Sequence, residues 1–165
     1  MYYDSIENKH GLKHDPFKAL IAPGPIGWIS SISADGICNL APYSFFNAVS
    51  DHPKLVMFAS AGFKDSANLA IESGEFVANM ATGDLAEAVN RTSAPAPRGR
   101  SEFELAGLTE APCRLVAAPR VAESPAALEC KVTQSFQPVD VDAEDQRPSH
   151  LAGGIKGRRG KEPGA

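Results

Sequence analysis

No apolar run in these 165 residues approaches the ~20 needed to cross a bilayer. The N-terminus, Met1-Tyr2-Tyr3-Asp4-Ser5, has no basic region leading into an apolar core, so no secretory signal is expected and the protein is read as cytoplasmic. In that setting Asn90-Arg91-Thr92 matches the glycosylation pattern only by chance. Cysteine is scarce: Cys38, Cys113 and Cys130 are odd in number and widely spaced, which fits neither a disulfide framework nor a metal knuckle and leaves them as reduced thiols. There is no surplus of basic charge. Sixteen Lys and Arg against 20 Asp and Glu give a net charge of −4, so nothing global attracts nucleic acid or an anionic membrane. There is no Gly-x-Gly-x-x-Gly between a strand and a helix, and no Gly-x-Ser-x-Gly elbow of a hydrolase. His10, His14, His52 and His150 share no spacing with one another or with a carboxylate pair, so no general acid–base couple stands out.

What is present is an ordinary globular composition, 43% hydrophobic and 22% charged, in a length that suits one domain. Asp15-Pro16 reads as the start of a short helix over Phe17–Ile21, stopped by Pro23-Gly24-Pro25. Asp35-Gly36 lies between two β-rich runs, Ile26–Ser33 and Ile37–Phe45, and predicts a hairpin, because Gly accepts the positive φ of a tight turn. Pro42 cannot donate to a ladder, so the second strand must be an edge, bulged or broken there. Leu55–Ala59 reads as a strand covered on both faces, reached by an antiparallel connection through Asp51-His52-Pro53. Asp65–Ser73 has helical spacing closed by Gly74, and Phe76–Met80 is a further strand. Asp84 is expected to cap a helix over Leu85–Arg91, and Ser101–Leu105 to make a helical turn ended by Gly107. Arg114–Val121 reads as extended, broken at Pro119, and Leu128–Phe136 as a strand of period two. The fold class expected is mainly β with short helices: an antiparallel barrel or sandwich with helices packed over its openings.

The most legible chemistry lies between Pro25 and Ser66. Lys64-Asp65-Ser66 offers a cation, a hydroxyl and the free N–H groups of a helix start, which together suit a phosphate. The alternative is a plain Asp65 N-cap with Lys64 in solvent. Ser30 and Ser31 on a strand are either a solvated face or ligand contacts, and Asn39 is either a turn residue or a ligand contact. These pieces sit on neighbouring elements and supply different chemistries.

The combination Pro25-Ile26-Gly27-Trp28-Ile29-Ser30-Ser31, then Asn39-Leu40-Ala41-Pro42-Tyr43-Ser44-Phe45-Phe46, then Lys64-Asp65-Ser66 resembles the flavin reductase-like family, and within it the flavoredoxin-like subgroup. Gly74–Asn79, Thr92-Ser93-Ala94-Pro95 and Glu123–Cys130 are similar to it as well, so the resemblance spans about residues 12–136. It implies an FMN-binding split β-barrel. Trp28 and Ile29 through their backbone, and Ser30 and Ser31, would face the flavin ring and ribityl chain. Asn39, Leu40, Ala41, Pro42, Tyr43 and Ser44 would line the flavin with backbone N–H and C=O groups. Lys64 and Ser66 would hold the phosphate with Asp65 shaping the loop, and Thr92 and Ser93 would approach from a helix end. The resemblance further implies FMN, or alternatively FAD, as cofactor, NADH or NADPH as hydride donor, a homodimer with flavin near the interface, and a partner oxygenase as one acceptor of the electrons. The alternatives are a flavin-binding electron carrier without NAD(P)H activity, and a truncated, non-functional chain.

Residues 137–165 depart from the family pattern. Family members continue with a loop and a long apolar strand that helps close the barrel. Here the chain carries Glu144-Asp145-Gln146-Arg147-Pro148 and a Gly-, Arg- and Lys-rich end, and is expected to be a disordered tail that leaves the barrel incomplete. That end resembles out-of-frame translation, a hypothesis tested by translating the DNA downstream of codon 136 in the other two frames; failure of both to restore an apolar strand removes it.

Overall fold

The computed structural model describes residues 9–62, 64–94, 100–138 and 149–159. At the first helix, α1 (Phe17–Leu20), the Asp15 carboxylate accepts the Phe17 N–H at 2.9 Å, as the Asp-Pro start predicts. Strands β1 (Gly27–Ile32) and β2 (Cys38–Tyr43) pair antiparallel in the register Gly27↔Tyr43 to Ile32↔Cys38. Their turn is closed by the Ser33 N–H donating to the Ile37 carbonyl at 2.9 Å, with Gly36 at φ 82°. A second hairpin joins β3 (Phe46–Ser50) to β4 (Leu55–Ala61). Helix α2 (Asp65–Ser73) ends on Gly74 in the left-handed conformation and leads into β5 (Glu75–Met80). A 3-10 turn, Gly83–Leu85, precedes α3 (Ala86–Arg91), and α4 (Glu102–Ala106) follows. The remaining strands are β6 (Glu110–Ala111), β7 (Arg120–Val121), β8 (Ala127–Val132), β9 (Ser135–Phe136) and β10 (Ser149–Arg159).

The main sheet runs β2-β1-β5-β8-β10-β4-β3, with β9 against β10 and every pairing antiparallel. Its two end strands, β2 and β3, follow one another in the chain through Ser44-Phe45, and the Phe45 carbonyl accepts the Ala59 N–H at 2.8 Å. The chain thus turns the sheet into a barrel and leaves β2 with one free edge. Pro42 sits on that edge strand, where a missing N–H costs no ladder bond.

Inside the barrel, Ile29, Tyr43, Phe58, Phe76, Ala78 and Cys130 form a core plugged by Ala67 and Ala70 of α2. The Phe58 ring meets Phe76 edge-on at 4.9 Å and Tyr43 at 4.9 Å, arrangements that add to burial. Outside it, Trp28, Cys38 and Leu40 pack against Phe103 of α4 and Val121. The segment 112–119 is clamped to the outer face by buried polar side chains. Ser30 Oγ donates to the Pro119 carbonyl at 2.6 Å, and Asn79 Oδ1 accepts the Val121 N–H at 2.9 Å. Glu129 accepts the Arg114 N–H at 3.0 Å, and Glu75 accepts the Ala117 N–H and the Lys131 ammonium. Burial alone would raise the Glu75 carboxyl, but the hydrogen bonds from Lys131 and Ala117 outweigh it and hold it below the usual range.

Several elements differ from the sequence expectation. The second strand stops at Tyr43, and β3, whose middle residues Asn47, Ala48 and Val49 are exposed, was not anticipated because its pattern carries little hydrophobic signal. Strand β4 is half-buried along most of its length rather than covered on both faces. Asp84 lies inside the 3-10 turn, and no side chain caps α3. Of Arg114–Val121 only the last two residues pair, because the rest bonds to side chains instead of a strand. The strand expected over Leu128–Phe136 breaks at Thr133-Gln134.

Where the sequence reading leaves the barrel open, residues 149–159 run as β10 between β8 and β4. A ladder is built from backbone groups, so a segment poor in apolar residues can still pair. The register with β4 shifts between Ala152 and Ile155, where Gly153-Gly154 permit a bulge. The rest of the expected tail, residues 139–148 and 160–165, lies outside the described residues, as does Phe63.

Candidate functional site

A cleft of about 470 Å³ opens along the free edge of β2. Asn39, Ala41, Pro42 and Tyr43 form its floor, and Lys64, Asp65 and Ser66 at the start of α2 form one wall. Thr92, Ser93 and Ala94 at the end of α3, with Glu102 of α4, form the other. An adjoining hollow of about 370 Å³ shares Pro42 and Ser93 and adds Ser44, Ile26, Ala86, Val89 and Asn90.

Local structure explains each wall. Lys64 is the residue before α2, with φ −94° and ψ 155°, and no side chain caps the helix. The N–H groups of Asp65 and Ser66 therefore have no intrahelical acceptor, and the helix dipole favours negative charge in front of them. Lys64 itself makes no salt bridge with a described residue. The end of α3 is held by the buried indole of Trp28, whose Nε1 donates to Thr92 Oγ1 at 2.9 Å. Thr92 Oγ1 in turn donates to the Val89 carbonyl at 2.9 Å.

The floor is polarised. The Leu40 N–H donates to Glu102 Oε2 at 3.0 Å, so this N–H and its own carbonyl point away from β1 to the free edge. Pro42, two residues on and facing the same way, has a carbonyl and no N–H. With the Leu40 N–H taken by Glu102, Pro42 offers the cleft an acceptor and no donor. Asn39 Nδ2 donates to both Glu102 oxygens at 3.2 Å, while Asn39 Oδ1 accepts the Ser66 hydroxyl. The Tyr43 hydroxyl, on a residue only 5% exposed, makes no well-aligned hydrogen bond among the described residues, although the Ser66 and Ser60 hydroxyls lie beside it. Burial pushes its pKa up, against the nearby hydroxyls of Ser66 and Ser60, so it stays a protonated phenol at neutral pH.

Seven expected residues thus meet in the cleft: Asn39, Ala41, Pro42, Tyr43, Lys64, Asp65 and Ser66, joined by Thr92 and Ser93. Ser44 lies in the adjoining hollow. Trp28, Ile29, Ser30, Ser31 and Leu40 are fully buried and do not line either space. Strand β1 pairs on both sides, with β2 and β5, so its backbone is engaged in two ladders. The Ser30 hydroxyl is committed to Pro119 and to Asn79 Nδ2, which donates to it at 3.1 Å. Ser31 Oγ is buried without a hydrogen-bond partner among the described residues. Sequence reasoning missed Glu102. Its only signal was a helix start at Ser101, and its partner Asn39 lies 63 residues away in sequence. Thiol chemistry is remote: burial first, then the hydrogen bond to Glu110, pushes Cys38 to about 12, and burial takes Cys130 to about 12.

These residues fit a flavin nucleotide. An uncapped helix start with a lysine suits a phosphate, the Pro42 carbonyl on the edge suits a ring N–H, and the buried Tyr43 hydroxyl beneath the cleft makes no well-aligned hydrogen bond among the described residues.

Known proteins point the same way. The profile of the family described as Flavin reductase like domain matches residues 20–147. A protein of Aquifex aeolicus is 41% identical over 118 residues, which cover 68% of this chain and 60% of that one. Nitrilotriacetate monooxygenase component B from Bacillus cereus is 30% identical, with a TM-score of 0.82 over 96% of this chain and 80% of that chain. At 19% identity, a split-barrel-domain protein of Shewanella frigidimarina shows the fold alone, with a TM-score of 0.78 over 94% of this chain and 77% of that one. The chain spans 56–63% of the length of the first curated relatives it matches. With its antiparallel split barrel and a flavin-sized cleft at the barrel edge, the chain belongs to the flavin reductase-like family.

Proposed function

We propose that this protein is an FMN-dependent oxidoreductase of flavin reductase type, passing hydride from NADH or NADPH to flavin and electrons onward to an acceptor. The observation that carries this reading is the convergence of an uncapped α2 start, Lys64 and the donor-free Pro42 edge of β2 on one cleft. Bound flavin supplies the hydride and electron chemistry. The chain's own part is to bind and orient. Lys64 and the N–H groups of Asp65 and Ser66 hold the phosphate, and the Pro42 carbonyl accepts from the ring. Trp28, through Thr92, keeps the opposite wall in place.

The cleft opens beside an apolar surface. Helix α1 buries none of its residues, and Phe17, Leu20, Ile21 and Ile26 are all exposed, with Ile26 lining the hollow next to the cleft. This supports a homodimer in which the flavin lies near the subunit interface. The similarity to a monooxygenase component supports a partner oxygenase as acceptor, and free Cys38, Cys113 and Cys130 suit a cytoplasmic setting.

The test is the visible spectrum of the purified protein with FMN, recorded without oxygen before and after NADH or NADPH. Bleaching of the flavin band is the expected result. A yellow protein that neither nucleotide bleaches would instead be an electron carrier, and a protein that takes up no flavin would remove the reading altogether.

A further inference from the structure

Glu102 is a charged cleft residue to which the proposed function assigns no task, and its surroundings are unusual for a charge. It is 8% exposed, and its three hydrogen bonds come from neutral donors: Asn39 Nδ2 to each oxygen at 3.2 Å and the Leu40 N–H at 3.0 Å. No cation pairs with it among the described residues. Among the described residues it is thus a carboxylate without a cation partner, in the wall of a cleft whose other wall is built for an anion.

Its second effect is directional. A carboxylate can only accept, so Asn39 must turn its NH₂ toward Glu102 and its carbonyl toward Ser66. The Ser66 hydroxyl then gives its single proton to Asn39 Oδ1. A phosphate oxygen is also an acceptor, so Ser66 Oγ has nothing left to donate to it. The phosphate is left to Lys64 and to backbone N–H groups.

We infer that Glu102 is a positioning residue that weakens the grip on the flavin phosphate, both by its charge and by orienting Asn39 so that the Ser66 proton is spent inside the protein. The inference rests on the flavin reading. Its consequence is a flavin that exchanges with solution, as a reductase that hands flavin onward would need.

In Glu102→Gln the side-chain carbonyl can still accept the Leu40 N–H, while its new NH₂ lets Asn39 flip and donate to Ser66. The Ser66 proton becomes available to phosphate and the charge is gone, so both changes act in the same direction. For unit charges about 12 Å apart at an effective dielectric near 20, removing one is worth about tenfold in affinity, and more at shorter range or against a phosphate dianion.

The experiment measures dissociation constants for FMN and for riboflavin, which lacks the phosphate, with wild type, Glu102→Gln and Glu102→Asp. The expected result is that Glu102→Gln binds FMN about tenfold more tightly with riboflavin unchanged, while Glu102→Asp, which keeps the charge, keeps the wild-type ratio of the two. If Glu102→Gln weakens both flavins together, or leaves their ratio unmoved, the inference is wrong and Glu102 only braces the fold. Ser66→Ala gives an independent reading. Its FMN and riboflavin affinities should move together, and a selective loss of FMN would show the hydroxyl donating to phosphate and overturn the inference. A wild type that binds neither flavin overturns it along with the flavin reading, whereas binding with an unmoved ratio overturns it alone.

Discussion

Ser30→Ala separates a ligand contact from a structural one. The family resemblance places Ser30 against the flavin, but the structure commits its hydroxyl to the Pro119 carbonyl at 2.6 Å and to Asn79 Nδ2 at 3.1 Å, with the residue fully buried. Asn79 Nδ2 keeps a second acceptor, the Trp28 carbonyl at 3.1 Å, so the main loss falls on Pro119. One buried hydrogen bond removed with its acceptor left unpaired costs about 1–3 kcal/mol. For a chain of this size that lowers the melting temperature by roughly 2–4 °C per kcal/mol. The assay pairs a thermal melt without ligand with an FMN titration at a temperature where both proteins are folded. The variant should melt several degrees lower and bind FMN within about a factor of two of wild type, since Ser30 does not line the cleft. An unchanged melt with a tenfold loss of FMN affinity would refute the argument and put Ser30 on the ligand.

Lys64→Ala should weaken FMN by about tenfold or more and leave riboflavin unchanged, because a charge-assisted contact to phosphate is lost while the N–H groups of α2 remain. Thr92→Val, nearly isosteric, strands the Trp28 N–H that donates to it at 2.9 Å and should cost about 1–3 kcal/mol in urea unfolding. Trp28 is the single tryptophan, so its emission should report the same change directly. Glu75 has a folded pKa below its unfolded value of about 4.3, so it contributes stability that is fully present above that value and lost as pH falls through the folded one. Urea midpoints measured downward from neutral pH should therefore drop in the acid range, and the drop should be shallower in Glu75→Gln. An equal drop in both proteins would place the acid sensitivity elsewhere.

Much of the scaffold follows from residues with one strong local preference. Gly36 and Gly74 adopt the positive φ their turns need, Pro42 lies on the sheet edge where its missing N–H does no harm, and Asp15 bonds the start of α1. The Lys64-Asp65-Ser66 helix start was legible for the same reason, although the residue before the helix is Lys64 and not Asp65. What stayed hidden depends on long-range partners. Ser30 and Ser31 are adjacent and chemically identical, yet one is tied to Pro119, 89 residues away, and the other has no partner among the described residues. Glu102 reads as an ordinary first-turn acid until β2 is laid beside it. Likewise β3 and β10 pair through their backbones, which the side-chain pattern of the sequence does not report.

The central claim is that the cleft beside β2 holds a flavin by its phosphate at the start of α2. The crystal structure of the protein with FMN tests this most directly. The account predicts the phosphate against Lys64 and the N–H groups of Asp65 and Ser66, with the ring along the Ala41–Pro42 edge. A flavin found elsewhere on the barrel, or one whose phosphate points away from α2, would contradict it.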